Sequence, residues 1–480
     1  MSAAANPHSD EDDRFLRYAG PNGESHDITT DRSLQVLHGS QPKSGADYDV
    51  IVIGGGFAGV TAARECRKSG LKTLLLEGRN RFGGRTFTAM VHGEPTEMGG
   101  TWVHWFQPHV WAEIMRYGLS LVETPGATAP KMVVRTSGNS IETIETASEW
   151  AKIEAAVAAY MGPSRELFSK SHNPFASASI SEFDDLSGAD RLATLSDMEP
   201  LYRDVIDAFM STCGANRQSN IAWIEMVRWY ALSGHNLTDM NDAVCRYRFK
   251  EGTSALISAM LRDGVPDTLL STPVARVEQG ESGVTVTTKG GGKFTSKVVV
   301  SAVPLNVLKD IDWSPALIES KREASVERHA GSCAKVHVVL EGDVGNIACF
   351  APSQFGLTWL FTEHASADRT HLVGFGPSSD LLDGDFRSQI EEATRQFMPG
   401  AKVLEVFGYQ WVGDEYSQST WCVLRPGQYG RHLAALQAQQ GRVIFASGDW
   451  ANGWRGFIDG AIEQGLRAGR LAGEVVAAAK

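Results

Sequence analysis

Three glycines, Gly54, Gly56 and Gly59, and one acid, Glu77, have the types and spacing to hold a phosphate-linked ligand. G-x-G-x-x-G alone is a weak signal, and it gains meaning only between a strand and a helix. Here the glycines follow the β-branched run Val50-Ile51-Val52-Ile53 and open a helix predicted over Phe57 to Lys68. In that setting Gly54 permits the tight turn, Gly56 lets a pyrophosphate approach the backbone, and Gly59 lets the helix pack on its strand. The phosphates then sit on free N–H groups at the positive helix end. A second strand, Lys72 to Leu76, delivers Glu77 to the hydroxyls of an adenosine ribose. An acid there repels a 2′-phosphate, which disfavours NADP and leaves NAD or FAD.

A second, basic turn follows at once and carries Arg79, Arg81, Gly83, Gly84 and Arg85. The run Glu77-Gly78-Arg79-Asn80-Arg81-Phe82-Gly83-Gly84-Arg85 resembles the E-A-R-x-R-x-G-G-R signature of flavin-containing amine oxidases, the monoamine and polyamine oxidase family. Met98-Gly99-Gly100-Thr101-Trp102, Gly252 with the helix after it, and Ser301-Ala302-Val303-Pro304 match too. So does Trp454-Arg455-Gly456-Phe457-Ile458-Asp459-Gly460-Ala461, and the order along the chain is the family's. The resemblance implies FAD stretched across one lobe. Val274 would touch adenine through its backbone, and Arg79 and Arg85 would lie near the diphosphate. Gly99, Gly100, Thr101 and Trp102 would lie near the flavin ring. The helix entered through Phe457 and Ile458 would point its positive end at the flavin pyrimidine.

The same resemblance nominates Lys335, Trp421 and Phe457 for chemistry. On pattern alone, Lys335 in Cys333-Ala334-Lys335-Val336-His337-Val338-Val339 reads as an edge or snorkelling residue. The family carries a lysine on this strand, linked through water to flavin N5, and Lys335 fits that place. Trp421 and Phe457 would be the two rings of a cage beside the flavin, their negative faces orienting an amine. Three departures stand out. Thr420 occupies the position where many relatives tether FAD through cysteine, and Cys422 is displaced by two residues, roughly 7 Å along a strand, so non-covalent FAD is expected. Ser447-Gly448-Asp449-Trp450 replaces Gly-x-Glu-Thr, making Asp449 a shorter acid near the cofactor, and Phe457 replaces the commoner tyrosine. His104 and His109, separated by Pro108, do not form a helical metal pair, and no metal cluster is expected. The stretch Thr101 to Trp111 resembles bacterial nicotine-degrading amine oxidases.

These residues need elements to hold them. The sequence predicts an α/β fold: a Rossmann-like FAD-binding domain built from discontinuous segments, with an α+β substrate domain of mixed sheet and helices. Residues 1–46 read as a polar, extended or partly disordered arm. Segments 47–123, 249–312 and 435–480 read as FAD-binding, the last two from a meander with a buried strand (Lys297 to Pro304) and a buried strand before the final helix. Segments 124–248, mostly helical in pattern, and 313–434 read as the substrate domain. A length of 480 residues allows several lobes, and 42% hydrophobic with 21% charged residues is ordinary for a globular chain. The net charge of -12 argues against nucleic acid and anionic membranes. Six scattered cysteines and the lack of a signal-like start suggest a cytoplasmic setting.

The expected activity is oxidation of a small secondary or tertiary amine: hydride passes to flavin N5, and the imine hydrolyses to a carbonyl product. Partners are the amine and an electron acceptor, either oxygen or a redox protein, and a homodimer is compatible with the sequence. An L-amino-acid oxidase or desaturase of the same fold, or a flavin-bound scaffold or redox sensor, is the alternative. The first needs a cation for the carboxylate, where this chain has Thr101-Trp102-Val103.

Overall fold

The computed structural model describes residues 15–20, 28–30 and 39–478. The β-branched runs do what continuous apolar strands must, and lie buried inside a parallel stack. Asp47–Ile53 pairs in parallel with Thr73–Leu76 on one side and Lys293–Ser301 on the other, and Asp267–Leu269 extends the edge beyond Thr73–Leu76. Lys293–Ser301 is the branch point of this sheet. Its first half pairs with Val284–Thr288 of the predicted meander, and its second half with Val443–Phe445 from near the chain end. Val274–Gln279 and Asp312–Ser314 complete the meander side. The helix Phe57–Lys68 falls on its predicted bounds and packs between the sheet and the final helix, Ile458–Ala478.

A second, eight-stranded sheet carries Lys335. Its central strands are Val403–Tyr409, Ala334–Glu341, Arg369–Gly376 and Trp359–Ala365, all antiparallel to their neighbours. Ala334–Glu341 is buried from end to end except Glu341, so Lys335 is enclosed rather than an edge residue. A helical layer formed by Thr146–Met161, Pro200–Cys213, Trp223–Leu232 and Leu237–Cys245 covers this lobe. Its tryptophans, methionines and aliphatics merge with both sheets in one apolar cluster.

Two sequence expectations gain strands that were not foreseen. The stretch 124–248 is not helical throughout. It opens with the hairpin Lys131–Arg135 and Ile141–Glu145, which extends the second sheet through Ile347–Phe350. The apolar alternation of a five-residue strand is too short to compete with the long helical periods that follow it. The arm is also partly ordered. Leu16–Ala19 pairs with Val403–Tyr409, and Thr29–Thr30 with Thr88–Val91. Tyr18 stacks on Phe407 at 6.3 Å between ring centres. A four-residue strand whose register is set by a partner nearly four hundred residues away leaves little trace in composition. Residues 1–14, 21–27 and 31–38 of the arm lie outside the described residues.

Candidate active site

A cavity of about 500 Å³ opens where the carboxyl ends of the parallel strands meet the second sheet and the helical layer. At its nucleotide end the backbone is bent back on itself. Gly54 has φ +104°, and a Cβ there would crowd the Ala302 carbonyl. Gly83 N–H donates to the Gly55 carbonyl at 2.9 Å, joining the two glycine turns, while Gly56 and Gly84 face each other across the join. Gly59 lies behind the wall, where any Cβ would collide with the Gly54 carbonyl. The helix that starts at Phe57 has no side-chain cap and no acid in its first turn. Its positive end and first N–H groups are therefore left for an anion, as a pyrophosphate requires.

Glu77 ends its strand at the cavity wall. Gly55 N–H donates to one of its oxygens at 2.6 Å and Arg79 N–H to the other at 2.7 Å, fixing both turns around the carboxylate. Burial raises its pKa, opposed by Arg79 and these two N–H groups. Each oxygen keeps a lone pair for a ribose hydroxyl. Val274 and Pro273 close this end.

The two wall arginines are committed within the protein. Arg79 grips Asp414 in a fork (2.7 and 2.8 Å from Nη2) and donates to Ser417 Oγ at 2.6 Å. Arg85 donates to the Thr420 carbonyl at 2.9 Å and to Asp449 at 2.5 Å. Asp449, fully buried behind the wall, also accepts the Leu305 N–H at 2.8 Å. Burial would lift the Asp449 pKa, but Arg85, His329 and that N–H hold it below its usual value. Arg79 and Asp449 thus tie the glycine turns to the 411–420 and 447–450 segments, and the acid does not face the cavity. Asp414 and Ser417 were missed by sequence reasoning, because their role exists only opposite Arg79.

Farther in, Gly99, Gly100, Thr101 and Trp102 line the wall beside Lys335. Lys335 Nζ donates to the Glu97 carbonyl (2.6 Å), the Gly99 carbonyl (3.1 Å) and Thr101 Oγ1 (2.6 Å), and lies 5.0 Å from the centre of the Trp102 ring. Burial pushes its pKa down to about 8, resisted by Glu363 and Glu97 and aided by Arg248. The lysine thus holds the Gly99–Trp102 turn directly.

The far end is walled by rings. Trp421 lies 5.9 Å from Phe375, nearly perpendicular to it, and its indole N–H donates to the Cys213 carbonyl at 2.8 Å. Phe457 meets Trp229 edge-on at 4.6 Å. Gly456, with φ +86°, abuts the backbone of Cys422, so Phe457 and Trp421 stand on touching segments. Trp359 and Phe375, opposite each other on paired strands, complete this end with Thr212, Cys213 and Val244. None of these was found from the sequence, since strand alternation marks a buried face without saying what it faces. Ile458 begins the final helix at the wall. His104 is packed against Trp105 and Phe106 outside the wall, and burial lowers its pKa to about 4.

Thr420 lies on the wall, whereas Cys422 is buried behind it with its thiol directed at the Asp449 carbonyl. Among the described residues, His329, Cys422 and Asp449 bring their ligand atoms within 4.8 Å of one another. Burial raises the thiol pKa well above its usual value, and Asp449 is spent on Arg85, so the trio lacks the free anionic ligands a cation needs.

Comparison with known proteins agrees with this geometry. The profile of the family described as flavin containing amine oxidoreductase matches residues 57–472. The chain is 42% identical to a pseudooxynicotine dehydrogenase of a Pseudomonas species, over 89% of this chain and 86% of the relative. It is 37% identical to a nicotine dehydrogenase of Pseudomonas putida, over 90% and 89%. A putrescine oxidase bound to putrescine shares its fold with a TM-score of 0.74 at 22% identity, covering 90% of this chain and 99% of the other. On a match that spans nearly the whole described chain, this protein belongs to the flavin containing amine oxidoreductase family.

Proposed function

We propose that this FAD-dependent amine oxidoreductase oxidises a small secondary or tertiary amine of nicotine or pseudooxynicotine type. The observation that carries this reading is the ring-lined end of the cavity, continuous with the nucleotide end and free of any unpaired arginine. Bound FAD would supply the acceptor for the α-hydrogen and its electron pair. The protein's part is positioning. Gly54, Gly56 and Gly59 shape the phosphate turn, and Glu77 and Val274 hold the adenosine. Arg79, Arg85 and Asp449 brace the turns from behind, while Gly99 to Trp102 and Ile458 seat the ring system. Trp421 and Phe457 flank the amine and exclude water, which favours its uncharged form. Lys335 fixes the turn at Thr101, and burial lowers its ammonium pKa to about 8. Water then converts the imine to a carbonyl product.

Both relatives named above act, by name, on pyridine-bearing amines, which supports the substrate class. An amino acid is disfavoured because Arg79 and Arg85 are already paired with Asp414 and Asp449. We propose that FAD is held without a covalent bond, since Thr420 offers no thiol to the cavity and Cys422 faces away from it. We further propose a cytoplasmic enzyme, with oxygen or a redox protein as acceptor and a homodimer as its assembly. No helix among the described residues is long and apolar enough to cross a membrane. Segments 47–123, 249–312 and 435–480 are proposed as the cofactor lobe, with 124–248 and 313–434 as the substrate lobe.

Anaerobic mixing with a panel of primary, secondary and tertiary amines, followed by admission of air, tests substrate and acceptor together. Bleaching of the flavin by pyridyl amines is expected. A flavin that no amine bleaches would return the chain to the scaffold reading.

A further inference from the structure

The cavity wall contains two buried side-chain hydrogen-bond donors that the protein leaves without acceptors. Trp102, Trp411 and Trp421, all on the wall, donate their indole N–H to Thr124 Oγ1, the Met98 carbonyl and the Cys213 carbonyl. Trp223, Trp313, Trp450 and Trp454, away from it, likewise find protein acceptors. Trp229 and Trp359 differ. Each is only 3% exposed and lines the cavity, and neither indole nitrogen has a hydrogen-bond partner. A buried indole N–H ordinarily finds a partner, because leaving it unpaired forfeits the hydrogen bond it made to water. Two exceptions in one cavity wall, in a protein that satisfies its other buried tryptophans, point to acceptors brought by the ligand.

Their surroundings limit what those acceptors are. Trp229 stands against Phe457, and Trp359 is ringed by Phe209, Phe350 and Phe361. The remaining polar side chains at this end are Thr212, hydrogen-bonded to Thr358 at 2.7 Å, and Cys213, whose thiol burial keeps protonated. No carboxylate stands there for a second ammonium, since the acids of the wall are Glu77, Asp310 and Glu415 at the nucleotide end. No free guanidinium stands there for a carboxylate.

Resting on the amine-oxidation reading, we propose that Trp229 and Trp359 are specificity residues whose N–H groups donate to uncharged acceptors on the substrate, remote from its amine. The preferred substrate is then a monoamine that also carries a ketone oxygen or a ring nitrogen. A diamine or an amino acid is selected against. A pyridyl ketone joined through a short alkyl chain to a methylamine presents both acceptors.

The test uses full-length holoenzyme and three amines: that pyridyl ketone, its phenyl counterpart without the ring nitrogen, and its counterpart with the ketone replaced by methylene. Anaerobic flavin reduction is followed for wild type, Trp229→Phe and Trp359→Phe. Wild type should favour the full substrate by about tenfold or more over at least one truncated partner. Each variant should lose about tenfold on the full substrate and little on the analogue lacking the acceptor it reads, so that the preference collapses. Equal losses on all three amines would make the tryptophans packing residues and overturn the proposal. So would a wild type that reduces all three equally, although amine oxidation itself would then stand. Weakened FAD retention in either variant with unchanged amine preference would assign that N–H to the cofactor, also overturning it. A flavin that none of the amines reduces would overturn the amine-oxidation reading as well.

Discussion

Lys335 shows how far a single residue can be read. Its pattern suggested an edge lysine, the family resemblance suggested chemistry, and the structure encloses it with all three protons given to Glu97, Gly99 and Thr101. Lys335→Met should keep FAD but lower turnover by at least about tenfold, because the turn beside the ring system loses its fastener. A rate profile against pH should step near 8 in the wild type and lose that step in the variant. The stability sign follows from the same depression. Between about 8 and 10.5 the unfolded chain still binds this proton and the native state does not, so stability from this group rises with pH. Chemical denaturation across that window checks it, and the methionine variant should lack the slope. At the same scale, acid precipitation should leave the yellow flavin in solution. Colour in the pellet would mean a covalent bond despite Thr420. Gly54, Glu77 and Phe457 were legible because motif and spacing name them, whereas Asp414, Trp229 and Trp359 were not, since their partners arrive from distant chain.

Among elements, the join between Pro108–Tyr117 and the final helix is held by one acid. Asp459 accepts the His109 and Val110 N–H groups at 2.6 and 2.9 Å, serving the start of a helix other than its own. Burial pushes its pKa up to about 7, against those two N–H groups. A raised carboxyl pKa means that the native state binds the extra proton, so this contribution is full below about 3.8 and declines as pH climbs through 7. Asp459→Asn keeps an acceptor for both N–H groups and should flatten that decline, by at most about 4 kcal/mol across the window. Urea titrations at pH 5 and pH 8 would measure it. A variant as pH-dependent as wild type would rule Asp459 out as the source. The helices Phe57–Lys68 and Ile458–Ala478 were readable from the buried strand and glycine turn that precede each. The strand Leu16–Ala19 and the hairpin at 131–145 were not, because short strands take their identity from the neighbour that pairs with them.

At the scale of the molecule, the cavity belongs to no single stretch of chain. Its nucleotide end needs the first parallel strands, its braces come from residues 411–420 and 447–450, and its ring-lined end comes from helices and a second sheet. The sequence announced the nucleotide half through contiguous motifs. Of the chamber's far end it named only Trp421 and Phe457, through the family resemblance, because the other rings are contributed one or two at a time. The branch strand Lys293–Ser301 accepts Asp47–Ile53 on one edge and Val443–Phe445 on the other, and the helix Phe57–Lys68 packs on Ile458–Ala478. This closure has a consequence for biosynthesis. The first motif leaves the ribosome well before the bracing Asp449 and the helix Ile458–Ala478, which follow it by nearly four hundred residues. Cofactor loading is therefore expected only after residues 443–478 have emerged, and a nascent chain stalled before residue 440 should retain no flavin on gel filtration while the released protein does. Cells short of riboflavin would then accumulate finished but unloaded chains rather than arrested ones.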